Sequence, residues 1–127
     1  MFKFDHSNLH VMDLERSIKF YEEALDFTEI TRLETPSFIF AYLGDSYRSE
    51  HVLELQLVKN RRAPYSLGDS NFHLAFTAAN FKKAYAKHKK MNCIDKEYIN
   101  FGIYWIRDPD GYLIEILSEK WEMGRQP

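Results

Sequence analysis

Apolar residues recur at helical spacing in two stretches of the chain. After Asp13, one helix face carries Leu14, Ile18, Tyr21 and Leu25. After Asn80, a weaker stripe follows positions 81, 84, 85 and 91. Asp13 and Asn80 suit the N-cap position, because a short side-chain oxygen can accept hydrogen bonds from the free N–H groups of the first helical turn. The pattern therefore predicts two helices that begin after these residues and pack their apolar faces on a sheet.

The pattern around these helices is typical of strands. Three strands are predicted after the first helix, at 29–34, 37–44 and 51–58, and three after the second, at 94–99, 101–108 and 112–119. The alternation is clearest in 51–58, where Leu53, Leu55 and Leu57 are separated by Glu54 and Gln56. The segment DPDG at 108–111 predicts a hairpin turn, because Pro suits its second position and Gly accepts the positive φ that ends it.

The chain also repeats itself. Residues 6–25 align with residues 73–92 without gaps, so that His6 meets His73 and Asp13 meets Asn80. Each half then consists of a short strand, a helix and three strands, which predicts two modules, 1–62 and 70–120, within one domain spanning 1–127. The connector at 60–70 is rich in Pro, Gly, Ser and charge. The tail from Trp121 to Pro127 has no periodicity, and we expect it to be loosely ordered.

Composition and charge narrow the function classes. With 45% hydrophobic and 16% aromatic residues, the chain should fold, and a net charge of -2 gives no reason to expect nucleic acid or a membrane surface as partner. The basic run at 59–62 is interpreted as solvated loop charge or a contact for an anionic ligand. A single cysteine, Cys93, excludes an internal disulfide and fits a reducing compartment. With no leader and no membrane span in the sequence, we expect a cytoplasmic protein.

Two histidines and two glutamates are the candidate chemistry. His6 and His73 begin the first strand of each half, and Glu54 and Glu115 lie in the last strand of each half. Glu115 stands among apolar neighbours, where an ionised carboxylate is costly unless it is paired or bound to a metal. Two imidazoles and two carboxylates suit a divalent metal with open positions for substrate oxygens. The alternative is that each residue is an ordinary surface or hydrogen-bonded side chain, because no short metal motif is present.

Several segments carry a family resemblance over nearly the whole chain. They are HSNLHVMDLERSIKFYEEALDF from His6, LELQL from Leu53, YSLGDSNFHLAF from Tyr65 and DPDGYLIEIL from Asp108. They resemble the vicinal oxygen chelate (glyoxalase/bleomycin resistance/dioxygenase) superfamily, most closely its short bacterial lactoylglutathione lyases (glyoxalase I). The resemblance implies an α+β fold of two βαβββ modules, whose curled mixed sheets form a metal-binding cleft.

The resemblance also implies roles for particular residues. His6, Glu54, His73 and Glu115 match the four metal ligands, and a homodimer would share its active sites, with His6 and Glu54 from one subunit and His73 and Glu115 from the other. Whether the modules pair within the chain or across a dimer stays open. One divalent ion per site is expected, with Ni²⁺ or Co²⁺ favoured and Zn²⁺ possible, and glutathione or another thiol as co-substrate.

The chain departs from the family pattern near the co-substrate. His10 stands where the family has an arginine, and Val58 where it has an asparagine, with Asn60 and Arg61 nearby but shifted. His10, Asn60 and Arg61 are therefore the candidates for binding the thiol. Asp26 replaces the glycine that ends the first helix, and an Asp can adopt the left-handed conformation. The two remaining histidines, His51 and His88, are expected at the surface.

The function implied is an isomerase. It would convert the hemithioacetal of methylglyoxal and a thiol into a lactoyl thioester, by proton abstraction through an enediolate held by the metal. Glu115 is the expected base and Glu54 the second candidate. The alternatives are another metal enzyme of the superfamily, such as an acyl-CoA epimerase or a ring-cleaving dioxygenase, and a drug-binding resistance protein. The four intact ligand positions favour the isomerase.

Overall fold

The computed structural model describes residues 1–120. The elements are β1 (His6–His10), α1 (Leu14–Leu25), β2 (Thr28–Glu34), β3 (Phe38–Gly44), β4 (Val52–Val58), β5 (His73–Ala78), α2 (Phe81–Lys90), β6 (Ile94–Tyr98), β7 (Ile103–Arg107) and β8 (Leu113–Ser118). Within this range, no helix is long and apolar enough to cross a membrane. The predicted loosely ordered tail, from Trp121 to Pro127, lies outside the described residues.

The chain divides into two compact units, one from Met1 to Ser66 and one that starts at Leu67. Each unit holds one four-stranded sheet, with strand order β1-β4-β3-β2 in the first and β5-β8-β7-β6 in the second. The first strand of each unit runs parallel to the last, and the other pairs are antiparallel. Two βαβββ modules with mixed sheets were predicted, and the α+β fold is confirmed.

Helix α1 forms where its cap and apolar stripe predict it. The Asp13 carboxylate accepts a hydrogen bond from the backbone N–H of Arg16 at 3.1 Å, which satisfies a free donor of the first turn. The helix buries Leu14, Ser17, Ile18, Tyr21 and Ala24. The helix packs on β2, β3 and β4. Asp26 ends the helix with a φ of 56°, the left-handed conformation expected of it.

Helix α2 begins in the same way, because the Asn80 side chain accepts from the backbone N–H of Lys83 at 3.0 Å. The prediction that His88 lies at the surface was wrong. His88 is only 1% exposed, and its Nδ1 lies 2.7 Å from the hydroxyl of Tyr104 on β7. The buried imidazole is tolerated because this hydrogen bond satisfies one of its ring nitrogens. His51 is half-buried and bonds to the Ser7 hydroxyl at 2.9 Å, so it too is less exposed than expected.

The predicted strands 94–99 and 101–108 were too long. A 3₁₀ turn occupies Ile99–Phe101, and Gly102 follows it with a φ of 72°. This left-handed conformation cannot continue a strand, and a side chain on Gly102 would meet the Ser118 Cβ at 3.0 Å. The chain therefore breaks between β6 and β7, and β7 begins at Ile103.

Candidate functional site

The first histidine–glutamate pair lies on neighbouring parallel strands. In the register of β1 and β4, His6 is opposite Val52, and Glu54 is two residues further along β4. His6 Nε2 lies 3.5 Å from Glu54 Oε1. Glu54 is only 8% exposed, while the side chain of His6 stays 38% exposed. The pair thus joins a buried carboxylate to an imidazole that a ligand can reach.

The second unit repeats this pair in the equivalent register. On β5 and β8, His73 is opposite Leu113, and Glu115 is two residues further along β8. His73 Nε2 lies 3.6 Å from Glu115 Oε1, and their side chains are 42% and 19% exposed. The carboxylate in the apolar strand β8 therefore has an imidazole as its neighbour, as the sequence repeat suggested.

Both pairs fit a divalent metal in donor type and spacing. Two ligands about 2.1 Å from one ion, at angles between a right angle and a tetrahedral angle, are about 3.0–3.5 Å apart. The separation in the first pair, 3.5 Å, equals the upper limit of that range, and the separation in the second pair, 3.6 Å, exceeds it by 0.1 Å. Among residues 1–120, the structure has no group of three or more His, Cys, Asp or Glu side chains that could hold a metal ion. The structure thus contains two histidine–glutamate pairs, and their role as a set of four metal ligands stays a prediction.

Polar neighbours hold the first pair. The Asp5 carboxylate accepts a hydrogen bond from His6 Nδ1 at 2.8 Å, and this bond raises the pKa of His6 above its ordinary value. It also leaves the Nε2 lone pair available to a metal. Asn8 Nδ2 donates to Glu54 Oε1 at 2.7 Å. The Tyr42 hydroxyl hydrogen-bonds the same carboxylate, which raises the pKa of Tyr42.

The surroundings of the second pair are mainly apolar. The Trp105 ring on β7 meets the His73 ring edge-on, with centroids 4.6 Å apart. In the strand register, Trp105 lies on one side of Glu115 and Ala75 on the other. Each unit therefore has its own histidine–glutamate pair, and the two pairs differ in what surrounds the glutamate.

The DPDG turn fixes the start of β8, and its predicted form is confirmed. Gly111 has a φ of 91°, and its N–H donates to the Asp108 carbonyl at 3.0 Å. The Asp108 carboxylate, on a residue only 5% exposed, accepts from the backbone N–H groups of Asp110 and Tyr112, both at 2.9 Å. Arg107 Nη1 donates to the Gly111 carbonyl at 2.8 Å. These bonds set the position of β8, and with it Glu115.

Two of the three predicted thiol-binding residues contact the ring of one tyrosine, Tyr65. The Arg61 guanidinium stacks 4.2 Å from the centroid of the Tyr65 ring and donates to the carbonyls of Ala63 and Pro64. The His10 ring meets Tyr65 edge-on, with centroids 5.3 Å apart. Asn60 is exposed in the turn after β4. Tyr65 thus connects His10 with Arg61, while a role for Asn60 stays a prediction.

Sequence reasoning missed the neighbours of the two pairs. Asn8 and Tyr42 bond Glu54 from the strands on either side, and Trp105 packs on His73. These contacts depend on the register between strands that are distant in sequence. The one available signal was the two-residue spacing of His6 and Asn8, which places both side chains on one face of β1.

Comparisons with known proteins agree with this architecture. The family model described as Glyoxalase/Bleomycin resistance protein/Dioxygenase superfamily matches residues 3–116. A lactoylglutathione lyase of Escherichia coli O157:H7 is 31% identical over 129 residues, covering 94% of both chains. A lactoylglutathione lyase of Haemophilus influenzae is 30% identical and covers 91% of both chains.

A solved structure gives the same result. The trypanothione-dependent glyoxalase I of Leishmania major has a TM-score of 0.86 and 31% identity, covering 98% of this chain and 92% of its own. The resemblance predicted from the sequence is therefore confirmed. The chain belongs to the Glyoxalase/Bleomycin resistance protein/Dioxygenase superfamily and is a lyase-type enzyme within it.

Proposed function

We propose that the protein is a metal-dependent lactoylglutathione lyase-type isomerase. Its substrate is the hemithioacetal of methylglyoxal and a thiol, and its product is the lactoyl thioester. The observation that carries the proposal is the histidine–glutamate pair repeated in equivalent registers, at 3.5 Å in one unit and 3.6 Å in the other. The lactoylglutathione lyases among the relatives support the same reaction.

The proposed ligands are His6, Glu54, His73 and Glu115. One pair alone provides too few ligands for a metal site, so each ion needs both kinds of pair. We propose a homodimer in which one subunit supplies the first pair and the other supplies the second. The imidazoles favour Ni²⁺ or Co²⁺, with Zn²⁺ as a further candidate, and the two carboxylates neutralise the charge of the ion. The bound ion would supply Lewis-acid polarisation of two neighbouring substrate oxygens.

Glu115 is the proposed base. Its carboxylate takes the proton from the substrate carbon that carries the hydroxyl and the sulfur, and the carbonyl beside that carbon accepts the electron pair. Glu115 then returns the proton to the former carbonyl carbon, and the proton of the original hydroxyl passes to the former carbonyl oxygen, so that the isomerisation gains and loses no atom or electron. In the strand register, Ala75 and Trp105 are the neighbours of this carboxylate on either side. Glu54 is the second candidate for the base.

Substitution of Glu115 by Gln tests the role of the base. Glu115→Gln keeps the shape of the side chain and an oxygen donor, so we expect nickel to remain bound while kcat falls by about 10²–10⁴-fold. The matched control is Glu119→Gln, because Glu119 is exposed at the end of the same segment and should leave kcat unchanged. Nickel-loaded Glu115→Gln protein with the wild-type kcat would contradict the assignment.

The thiol is proposed to bind at His10, Asn60 and Arg61. Arg61 is exposed and carries a positive charge over the Tyr65 ring, which suits a carboxylate of the co-substrate. One relative is a trypanothione-dependent enzyme, so trypanothione should be compared with glutathione as the co-substrate. Steady-state rates with each thiol and methylglyoxal would identify the preferred one.

An acyl-CoA epimerase is the second candidate function. It also removes a proton beside a carbonyl, and His10 and Val58 replace residues that the family uses to bind glutathione. Nickel-loaded protein that exchanges the α-proton of an acyl-CoA ester with solvent deuterium, and leaves the hemithioacetal unchanged, would favour the epimerase.

A further inference from the structure

Each glutamate lies in a row of three residues that crosses three adjacent strands. In the first unit, the register places Glu54 between Asn8 on β1 and Tyr42 on β3. In the second unit, the same row places Glu115 between Ala75 on β5 and Trp105 on β7. The two rows occupy equivalent positions in the two sheets, so the environments of Glu54 and Glu115 can be compared residue by residue.

The first row holds its carboxylate with two hydrogen-bond donors. Asn8 Nδ2 donates to Glu54 Oε1 at 2.7 Å, and the Tyr42 hydroxyl bonds the same carboxylate. Asn8 Nδ2 also donates to Gln56 Oε1 at 3.0 Å, which fixes the amide itself. Hydrogen bonds to a charged group are stronger than those between neutral groups, so rotating Glu54 away from these donors is costly.

The second row has a different chemistry. The Ala75 side chain is a methyl group with no donor, and the Trp105 ring packs edge-on against His73. The Glu115 carboxylate meets His73 Nε2 at 3.6 Å, and its side chain is 19% exposed against 11% for Glu54. Glu115 therefore lacks the two hydrogen bonds that hold Glu54, and its rotation would not break such bonds.

We propose that Asn8 and Tyr42 are positioning residues that keep Glu54 a fixed metal ligand and thereby assign proton transfer to Glu115. A carboxylate that moves a proton must turn toward the substrate carbon, and a carboxylate held by two donors resists that turn. Residues that orient a metal ligand through hydrogen bonds typically change metal affinity by about 10–100-fold when they are removed. The inference rests on the proposed function for the role of Glu115, while the hold on Glu54 stands on the contacts themselves.

The first test removes the Asn8 amide that donates a hydrogen bond to Glu54. Asn8 is exposed, so Asn8→Ala should fold as the wild type does. We expect Asn8→Ala to weaken nickel binding by about 10-fold or more in calorimetry of metal-stripped protein. At saturating nickel, its kcat should stay within about threefold of wild type, because Glu115 is untouched. Tyr42→Phe should give the same pattern. Wild-type nickel affinity in both variants would overturn the proposal.

The second test introduces an equivalent hydrogen-bond donor beside Glu115. Ala75 is exposed and occupies the position equivalent to Asn8, so Ala75→Asn has room to place an amide beside Glu115. We expect kcat to fall by about 10-fold or more while nickel affinity is retained, because the carboxylate is then held as Glu54 is. The control is Ala75→Leu, which has similar bulk and no donor, and should keep most of kcat. Equal losses in the two variants, or none in Ala75→Asn, would refute the mechanism.

The two tests separate this inference from the proposed function. Nickel affinity is measured without substrate, so the Asn8 result decides the positioning role even if the wild type fails to isomerise the hemithioacetal. That failure would overturn the reaction and the assignment of proton transfer to Glu115. The loss of affinity in Asn8→Ala would still support the hold on Glu54.

Discussion

The buried carboxylate of Asp108 is expected to account for a large share of the stability of the β7–β8 hairpin. It accepts hydrogen bonds from the backbone N–H groups of Asp110 and Tyr112, both at 2.9 Å, and Asp108 is only 5% exposed. Two bonds to a charged acceptor, at roughly 1.5 kcal/mol each, give a loss of about 3 kcal/mol for Asp108→Ala. Urea unfolding of metal-stripped protein, followed by circular dichroism, measures this change in the free energy of unfolding.

The control for this prediction is Asp108→Asn. The amide oxygen can still accept from the same N–H groups, and neutral hydrogen bonds are worth roughly 1 kcal/mol each, so the expected loss is about 1 kcal/mol. A loss below about 0.5 kcal/mol in Asp108→Ala would show that the carboxylate does not hold the turn. An unchanged free energy of unfolding in Asp108→Asn would show that the charge of the carboxylate contributes nothing to these bonds, whereas equal losses in the two variants would show that a neutral amide does not hold the turn.

Two further predictions concern the co-substrate and alkaline pH. Arg61→Ala should raise KM for the thiol by about 10-fold with kcat nearly unchanged. The control is Arg62→Ala, a substitution of its exposed neighbour, which should change neither constant. Equal effects of the two substitutions on KM would argue against a role for Arg61. Burial raises the pKa of Tyr104 above its ordinary value, so this group stabilises the fold fully below about pH 10, where an unfolded tyrosine keeps its proton. The free energy of unfolding should fall as the pH rises further, and it should fall less steeply in Tyr104→Phe than in the wild type. The control is Tyr98→Phe, because Tyr98 is exposed. Equal slopes in Tyr104→Phe and the wild type would refute this prediction.

Local signals were sufficient to predict most of the fold. The caps at Asp13 and Asn80 act within three residues, and the helices begin where these residues predict. Elements that depend on distant contacts were missed. The break at Gly102 requires a close approach to Ser118 on another strand, and the burial of His88 requires Tyr104 on β7. A histidine in a lysine-rich helix gives no sequence signal that such a partner exists.

The candidate site divides in the same way. The two histidine–glutamate pairs could be predicted, because the sequence repeat places equivalent residues in equivalent strands. What surrounds each glutamate could not, because Asn8, Tyr42 and Trp105 reach the pairs through inter-strand register. The difference between Glu54, which accepts hydrogen bonds from Asn8 and Tyr42, and Glu115 is therefore visible only in the folded chain.

Together, the two histidine–glutamate pairs are proposed to form a metal centre that isomerises a hemithioacetal. The most direct measurement is a nickel titration of metal-stripped protein, with formation of lactoylglutathione from methylglyoxal and glutathione followed at each step. We expect activity that rises in proportion to bound nickel and reaches its plateau at one ion per subunit. Stoichiometric nickel binding with no product from glutathione or trypanothione would contradict the proposed reaction, and the absence of nickel binding would contradict the metal centre itself.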